Sequence, residues 1–306
     1  MPTATSPGSR FRALMEAGAV QVPGAFNALC AKAIAHAGFH ACYVSGAATS
    51  VAAGVPDIGL LSLDHFARTI REVADASRLP VLADADTGFG ESECVRRTVI
   101  EYARAGAAAL HIEDQVFPKR CGHLDGKKLI PIDHQCEKIA AAVNAASDLS
   151  PDSGFIICAR TDARSVEGLD AVVNRAHAYI QAGAHMIFPE GLQSEEEFTL
   201  IAQRLRPRGG TGRGASGELG PYLLANMTEF GKTPIIPFQR FAKMGYACVI
   251  YPVSMLRVAM GAVSRALSTL KHDGSVHRLL DDMQSRDELY TLIGYTPGKE
   301  WDFPAP

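Results

Sequence analysis

A cysteine flanked by cationic residues is the first feature of this 306-residue chain that could do chemistry. Cys121 stands in the segment PKRCGHLDGKK (118–128), between Arg120 and His123. Cationic neighbours stabilise a thiolate and prepare the thiol for reaction. A structural cysteine instead prefers apolar surroundings, in which it behaves as a small hydrophobe. The segment favours a reactive thiol, and the rest of the chain must decide between the two interpretations.

Two aspartates form the second such feature. Asp84 and Asp86 end the apolar run PVLADAD, and their spacing puts both side chains on one face of a predicted strand. Two carboxylates this close repel each other, and a divalent cation relieves the repulsion. A few carboxylates completed by water and substrate are typical of Mg²⁺. A salt-bridge pair with Arg or Lys is the structural alternative, and zinc is disfavoured because no His/Cys cluster has ligand spacing.

Eight short apolar runs would position these residues, at 20–24, 41–46, 80–86, 109–115, 155–162, 185–191, 222–227 and 248–253. Uninterrupted apolar character indicates strands buried on both faces. Amphipathic helical segments such as 62–77 lie between them. This alternation predicts a parallel sheet, and eight units favour a (β/α)8 TIM-type barrel over an open doubly wound sheet. We expect a single domain, 1–306, with a C-terminal helical extension at about 272–296.

Polar residues end these strands. They are Tyr43, Ser45 and Gly46, then Asp84 and Asp86, His111, Glu113 and Asp114, Arg160, Thr161 and Asp162, Glu190 and Asn226. Any one of them could be a strand-end cap. In a barrel, however, all these ends meet at the rim where active sites lie. Segment 118–128 would form a loop over that rim, with Gly122 and Gly126 allowing it to open and close.

Composition excludes several classes of function. The net charge of −3 and the absence of aromatic stacking motifs argue against nucleic-acid binding. No apolar run is long enough for a membrane span, and no secretory signal is recognisable. Seven scattered cysteines suit a reducing cytoplasm. We expect residues 1–12 and 297–306 to be loosely held tails, and the glycine-rich segment 207–220 to be a flexible loop at the opposite barrel face.

Taken in order, these motifs resemble the isocitrate lyase and phosphoenolpyruvate mutase superfamily, and within it the methylisocitrate lyases. The match runs from about residue 6 to residue 295 and includes YVSG, DADTGFG, HIEDQ, KRCGH, ARTDA, NMTEFG and QSRDELY. The resemblance implies Mg²⁺-dependent retro-Claisen cleavage of 2-methylisocitrate to pyruvate and succinate in propionate catabolism, with Mn²⁺ as the alternative ion. It also implies a homotetramer, a dimer of dimers, with a helix exchanged between subunits.

The resemblance assigns roles to single residues. Asp84 and Asp86 would hold the metal, surrounded by His111, Glu113 and Asp57. Tyr43 would assist removal of the substrate's hydroxyl proton, Cys121 would protonate the carbanion-like succinate, and Arg160 and His123 complete the catalytic set. Arginine forks suit carboxylates. The substrate-binding set is Ser45, Gly46, Ala47, Gly122, Arg160, Glu190, Asn226, Met227, Thr228, Arg257 and Arg286. Phe188 and Pro252 would border the substrate's methyl group.

Three departures from the family pattern stand out. SGAATS replaces a more glycine-rich turn, the turn before Asp57 is one residue short, and segment 207–220 has no counterpart. Isocitrate, dimethylmalate or oxaloacetate remain alternative substrates. A phosphonate-forming mutase would lack the KRCGH cysteine, and a catalytically silent binding protein on the same barrel is a further alternative.

Overall fold

All eight predicted strands are present in the computed structural model, which describes residues 5–122, 124, 126–149, 153–206 and 221–301. The glycine-rich segment 207–220 lies outside the described residues. The strands are β1 (Val20–Pro23), β2 (Cys42–Val44), β3 (Val81–Asp84), β4 (Ala107–Glu113), β5 (Ile156–Thr161), β6 (Met186–Pro189), β7 (Tyr222–Asn226) and β8 (Cys248–Tyr251).

Helices connect and surround the strands. They are α1 (Pro7–Ala17), α2 (Ala28–His36), α3 (Gly46–Ala52), α4 (Leu63–Ser77), α5 (Ser92–Arg104), α6 (Ile132–Leu149), α7 (Leu169–Gln181), α8 (Glu195–Leu205), α9 (Phe238–Met244), α10 (Ser254–Asp273) and α11 (Arg286–Ile293). Helix α4 shows why they form where they do. The Ser62 side chain caps its first turn by accepting from the His65 backbone N–H, and Phe66, Ile70 and Val73 bury one face.

The strands form one parallel sheet in the order β1-β8-β7-β6-β5-β4-β3-β2. A parallel bridge between Gly24 and Tyr43 brings β1 and β2 together, and the Ala25 N–H donates to the Tyr43 carbonyl at 2.8 Å. The predicted (β/α)8 barrel is therefore confirmed. Its interior is filled by buried side chains such as Leu82, Phe188 and Leu224, so the barrel is a packed core rather than a pore.

The amino-terminal segment corrects one expectation. Residues 1–12 were expected to form a loose tail, but α1 begins at Pro7, behind a Ser6 cap. Phe11 and Met15 lie one helical turn apart, and both are buried among the side chains of the barrel interior. The helix is held because this apolar face covers the amino end of the barrel.

The C-terminal segment is helical as predicted, but it packs differently from the other helices. Only Leu256 and Thr269 of α10 are buried, whereas α11 packs against α2 on the outside of the barrel. The assignment of the whole chain to a single domain stays a prediction. Within the described parts of the chain, no helix has the length and apolar character needed to cross a membrane.

Candidate active site

A cavity of about 220 Å³ opens at the carboxyl ends of the strands. Most residues predicted from the sequence contribute to its wall. Those that line it are Tyr43, Ser45, Ala47, Asp57, Asp84, Cys121, Gly122, Arg160, Glu190, Asn226, Thr228 and Arg257. The barrel brings these residues together because they lie at or after the carboxyl ends of the parallel strands β2 to β8.

The carboxylate pair lies at the base of this cavity. Asp84 accepts from the Gly46 N–H at 2.9 Å through Oδ2 and from the Asp86 N–H at 3.0 Å through Oδ1. Asp86 has a φ of +47°, a left-handed conformation that is uncommon outside glycine. The chain therefore turns sharply after β3 and keeps both carboxylates at the rim, a kind of strain that clusters at functional sites.

The two carboxylates differ in acidity. Burial opposes ionisation of Asp84, but His111, Lys119 and Arg160 outweigh it and lower its pKa to about 2. Burial raises the pKa of Asp86 to about 6, with Lys119 opposing this rise and Asp84 adding to it. The Lys119 ammonium lies 2.8 Å from Oδ1 of Asp86 and also contacts Asp57. A lysine on the rim loop thus supplies one positive charge beside the carboxylate pair.

Tyr43 and His111 form a buried pair beside Asp84. The phenol oxygen of Tyr43 and Nε2 of His111 are 2.8 Å apart, and Nδ1 of His111 lies 3.6 Å from Oδ1 of Asp84. Burial lowers the pKa of His111 to about 4 and raises that of Tyr43 well above its usual value. Both groups are neutral near pH 7, and the position of Asp84 favours the tautomer in which Nε2 accepts from Tyr43.

Arg160 connects three acidic residues at the cavity wall. Its guanidinium donates to Asp162 through Nε at 2.9 Å and lies 3.2 Å from Oε2 of Glu113 and 3.9 Å from Oε2 of Glu190. Glu190 accepts from an Asn226 side-chain N–H at 3.0 Å. Arginine in such a setting keeps its charge and presents further donors to a carboxylate ligand.

The site also contains buried polar atoms without a hydrogen-bond partner among the described residues. They are three carboxylate oxygens, Oδ1 of Asp86 and both of Glu113, and one donor, Nδ1–H of His111, which lack a hydrogen bond of good geometry despite the nearby Lys119 and Arg160 cations. Buried polar atoms in this state are costly. A hydrated divalent cation would satisfy them, so the residues present fit a metal site.

The donor set also limits the number of ligands that the protein can supply. Among the described residues, no three His, Cys, Asp or Glu side chains form a ready-made ligand cluster. An ion here would take few protein ligands and complete its coordination shell with water and ligand oxygens.

The rim loop (118–128) carries Cys121 beside the cavity. Its base is fixed by hydrogen bonds from the Val116 N–H to the Lys128 carbonyl at 2.8 Å and from the Ile130 N–H to the Asp114 carbonyl at 2.9 Å. The side chain of Gln115, just before the loop, donates to the Arg120 carbonyl at 2.8 Å and accepts from the Arg120 N–H at 2.9 Å. The predicted catalytic residue His123 lies outside the described residues.

Of the predicted residues that the structure describes, six do not line the cavity: Gly46, Asp86, His111, Glu113, Met227 and Arg286. The first four lie directly behind the wall, in contact with Asp84 or Arg160. The Met227 sulfur accepts from the Ile236 N–H at 3.2 Å. Arg286 is exposed on α11, which packs against α2, so this subunit's own barrel does not bring it to the cavity.

The sequence interpretation missed the two lysines of the rim loop. Lys119 and Lys127 are both buried, although charged residues in a glycine-containing segment are usually solvated. The only available signal was the acidic character of the strand ends, whose buried carboxylates require cations. Ile250 was also missed as a wall residue because an apolar strand residue is ordinarily core.

Comparison with known proteins agrees with the barrel and the acidic rim described above. The phosphoenolpyruvate phosphomutase family model matches residues 11–271. The chain is 46% identical over 304 residues to a probable 2-methylisocitrate lyase of Corynebacterium glutamicum, an alignment that covers 98% of this chain and 93% of the relative.

Two solved structures share the whole fold. An oxaloacetate acetylhydrolase complexed with the inhibitor 3,3-difluorooxalacetate superposes with a TM-score of 0.86 at 31% identity, covering 95% of this chain and 94% of the other. A 2,3-dimethylmalate lyase of the PEP mutase/isocitrate lyase superfamily gives a TM-score of 0.84 at 35% identity, with 96% and 93% covered. With its barrel, its acidic rim and these relatives taken together, the chain belongs to the phosphoenolpyruvate mutase and isocitrate lyase superfamily.

Proposed function

We propose that this protein is a carbon–carbon lyase that cleaves 2-methylisocitrate into pyruvate and succinate. The observation that carries the proposal is that Cys121, Tyr43 and Arg160 line one cavity together with Asp84. A cysteine beside the metal-type carboxylates speaks against the phosphonate-forming mutase. The similarity to the Corynebacterium relative supports the choice of substrate.

The chain's own residues suggest how the reaction runs. Loss of the substrate's hydroxyl proton turns the carbon–oxygen bond into the carbonyl of pyruvate while the adjacent carbon–carbon bond breaks. The electron pair of that bond passes to the succinate fragment, which then takes a proton from Cys121. Tyr43, a neutral phenol bonded to the neutral His111, would relay the hydroxyl proton. Arg160 would hold a substrate carboxylate with the donors that Asp162 leaves available.

The proposed cofactor is Mg²⁺, with Mn²⁺ as the alternative. Asp84 and Asp86 would hold it, and Asp57, His111 and Glu113 would orient its water; the unsatisfied oxygens and nitrogen described above support this assignment. When bound, the ion supplies polarisation of the substrate's oxygens. EDTA should inactivate the protein and added Mg²⁺ restore it. Full activity after exhaustive demetallation would make the carboxylates structural.

The methyl group of the substrate has a candidate pocket. Phe188, Ile250 and Pro252 form an apolar part of the cavity wall, and Phe188 packs edge-to-face on His111 with ring centroids 5.3 Å apart. A methyl group in such a pocket changes specificity by roughly 10- to 200-fold. This wall supports 2-methylisocitrate over isocitrate as the preferred substrate.

Product analysis tests the whole assignment. Purified protein with Mg²⁺ and 2-methylisocitrate should yield pyruvate and succinate in equal amounts. Specificity constants for isocitrate, 2,3-dimethylmalate and oxaloacetate should be lower when measured side by side. Equal or better turnover of any of these three would sink the substrate assignment while leaving the lyase or hydrolase class to be chosen by the products.

We also propose a homotetramer, a dimer of dimers, in which α10 packs against a partner barrel. Six apolar side chains of this helix are exposed: Met255, Val258, Met260, Val263, Leu267 and Leu270. Exposed apolar stripes of this kind mark protein–protein interfaces. Val258→Glu with Leu267→Glu should reduce the mass measured by light scattering, whereas an unchanged mass would remove α10 from the interface. None of the seven cysteines, all of which lie in the described residues, forms a disulfide, and this supports a cytoplasmic location.

A further inference from the structure

Lys127 is a buried lysine at the end of the rim loop that neither the proposed chemistry nor the metal site uses. Its side chain is 1% exposed. The ammonium donates to the Gly122 carbonyl within the same loop and to Oδ1 of Asp162 at 2.8 Å, beyond the end of β5. The side chain thus joins the rim loop to the barrel, and we call this contact the Lys127 bridge.

Asp162 makes the Lys127 bridge relevant to the site. The same carboxylate accepts from Arg160 through Nε at 2.9 Å and through an Nη at 3.3 Å. Its own backbone N–H donates to Oδ1 of Asp114 at 3.0 Å, which ties the residue to the segment directly after β4. One buried carboxylate therefore holds both the substrate-facing guanidinium and the lysine of the rim loop.

Gly122 is the other partner of the Lys127 bridge, and it lies directly against the side chains of Arg160 and Glu190. A Cβ atom at this position would lie 2.6 Å from an Nη of Arg160 and 2.6 Å from Cγ of Glu190. Gly122 follows Cys121 in the chain, so the place of the Gly122 carbonyl sets the place of the thiol-bearing residue. The backbone hydrogen bonds at Val116 and Ile130 hold the base of the loop, and the contacts of Gln115 and Lys119 hold its first residues. The Lys127 bridge adds an attachment on the other side of Cys121.

We propose that Lys127 is a positioning residue that holds Cys121 over the cavity, through the Gly122 carbonyl, at a fixed place relative to Arg160. The role of Cys121 as an acid rests on the proposed function, but the position of the loop does not. Asp162 stays paired with Arg160 when Lys127 is removed, so loss of the lysine leaves no isolated buried charge and the barrel should fold.

Thiol alkylation tests the position without any substrate. Lys127→Met keeps the length and removes the ammonium, and Lys128→Met is the matched control because Lys128 is exposed. Iodoacetamide labelling followed by peptide mass spectrometry should show Cys121 reacting at least about tenfold faster in Lys127→Met, as expected for local opening. The exposed Cys94 serves as internal reference and should react equally in all forms.

Kinetics and rescue separate positioning from general stability. We expect kcat to fall about 100-fold in Lys127→Met, as for a small misplacement of reacting groups, with a smaller change in KM. Ethylammonium should restore part of the activity to Lys127→Ala by occupying the same place. If Cys121 is labelled at the same rate in Lys127→Met as in Lys128→Met, the proposal is overturned.

The native protein offers a further check that needs no variant. Cys121 should be alkylated more slowly than a synthetic peptide of residues 116–126, and labelling as fast as the peptide would contradict the Lys127 bridge. If the labelling results hold but 2-methylisocitrate is not cleaved, the positioning role stands and the proposed function fails.

Discussion

The two ends of the barrel treat polar groups in opposite ways. At the amino end, α1 covers the interior with Phe11 and Met15, and its arginines donate to backbone carbonyls around it. The Arg12 guanidinium donates to the Gly154 carbonyl at 2.8 Å, and that of Arg10 to the Arg78 carbonyl at 2.6 Å. At the carboxyl end, Glu113 and Asp86 are buried with oxygens that the described residues do not satisfy.

This difference separates stability from chemistry. An apolar cover with satisfied backbone groups lowers the free energy of the folded state. Buried, incompletely paired carboxylates raise it, and they persist because a ligand or metal would complete them. Changes at the carboxyl end should therefore cost activity, and changes at the amino end should cost stability. The following predictions test that division.

The largest effect is expected at Cys121. Cys121→Ala should lower kcat about 100- to 10,000-fold, the usual contribution of a positioned general acid, while the urea midpoint of unfolding stays the same. Cys94→Ala, in the exposed part of α5, is the control and should change neither quantity. Turnover of Cys121→Ala within tenfold of the native rate would make this thiol a bystander.

Gly46→Ala should come next. A Cβ at Gly46 would lie 2.6 Å from Oδ2 of Asp84 and 3.1 Å from Oδ1 of Asp86, so the carboxylate pair must move. We expect activity to fall about 100-fold and Mn²⁺ affinity, measured by electron paramagnetic resonance, to weaken. Native affinity and rate in a folded Gly46→Ala protein would show that the pair is not sensitive to its backbone support.

Gly8→Ala is the counterpart at the amino end. Its Cβ would lie 2.4 Å from the Ser153 carbonyl oxygen, so α1 must shift from the barrel. Overpacking of this kind costs about 1–3 kcal/mol of unfolding free energy, whereas kcat per folded molecule should not change. Gly18→Ala, with open space around its Cβ, is the matched control. A loss of kcat in Gly8→Ala without loss of stability would contradict the division between the two ends.

His185 should make stability at the amino end depend on pH. Burial, with Arg12 nearby, lowers its pKa to about 4, and Nδ1 accepts from the Ile157 N–H at 3.0 Å. His185 takes up a proton near pH 6.5 in the unfolded chain, whereas in the folded chain it does so only near pH 4. This contribution to stability is therefore complete above pH 6.5 and is lost as the pH falls towards 4.

The corresponding loss between pH 6.5 and pH 5 is about 2 kcal/mol. His185→Gln should flatten that part of the pH profile of urea midpoints, and the exposed His177→Gln on α7 should leave it as it is. Identical slopes for the native protein and His185→Gln would show that this histidine does not titrate differently on folding.

The smallest effect is expected from replacing residues 208–219 with a short glycine linker. In the sequence the segment lies between the end of α8 and the start of β7, and the amino end of β7 is on the side of the barrel away from the cavity. Changes in loop length cost well under about 1 kcal/mol per doubling, so kcat should stay within about twofold of native. A large fall in kcat with intact folding would indicate that this segment reaches an active site, including that of a partner subunit.

The barrel and most of the rim were predictable because they depend on local sequence. Continuous apolar runs specify doubly buried strands, and a polar residue directly after such a run must lie at the carboxyl rim. The positions of Asp84 and Arg160 at the rim were therefore predicted from their place at the ends of apolar runs. The burial of Phe11 was not predictable in this way, because a short amphipathic helix near a terminus looks the same whether or not it docks.

The burial of Lys119 and Lys127 could not be predicted either, for a different reason. Their burial depends on which carboxylates the fold brings to the loop, and those carboxylates come from residues as far apart in the chain as Asp57 and Asp162. The contact of Arg286 with substrate also cannot be judged from spacing along the chain. This residue belongs to a helix on the outside of its own barrel, so its predicted contact with substrate depends on subunit arrangement, which spacing along one chain does not encode.

The covered amino end has a consequence for the order of events in each reaction cycle. Because Phe11 and Met15 close that end and side chains fill the interior, entry and exit share the opening beside the rim loop. A substrate split into two acids must then release them one after the other. The acid that leaves last occupies the free enzyme's site and should inhibit competitively, while the acid that leaves first should inhibit noncompetitively. Inhibition patterns for pyruvate and succinate would therefore reveal which of them lies deeper in the barrel.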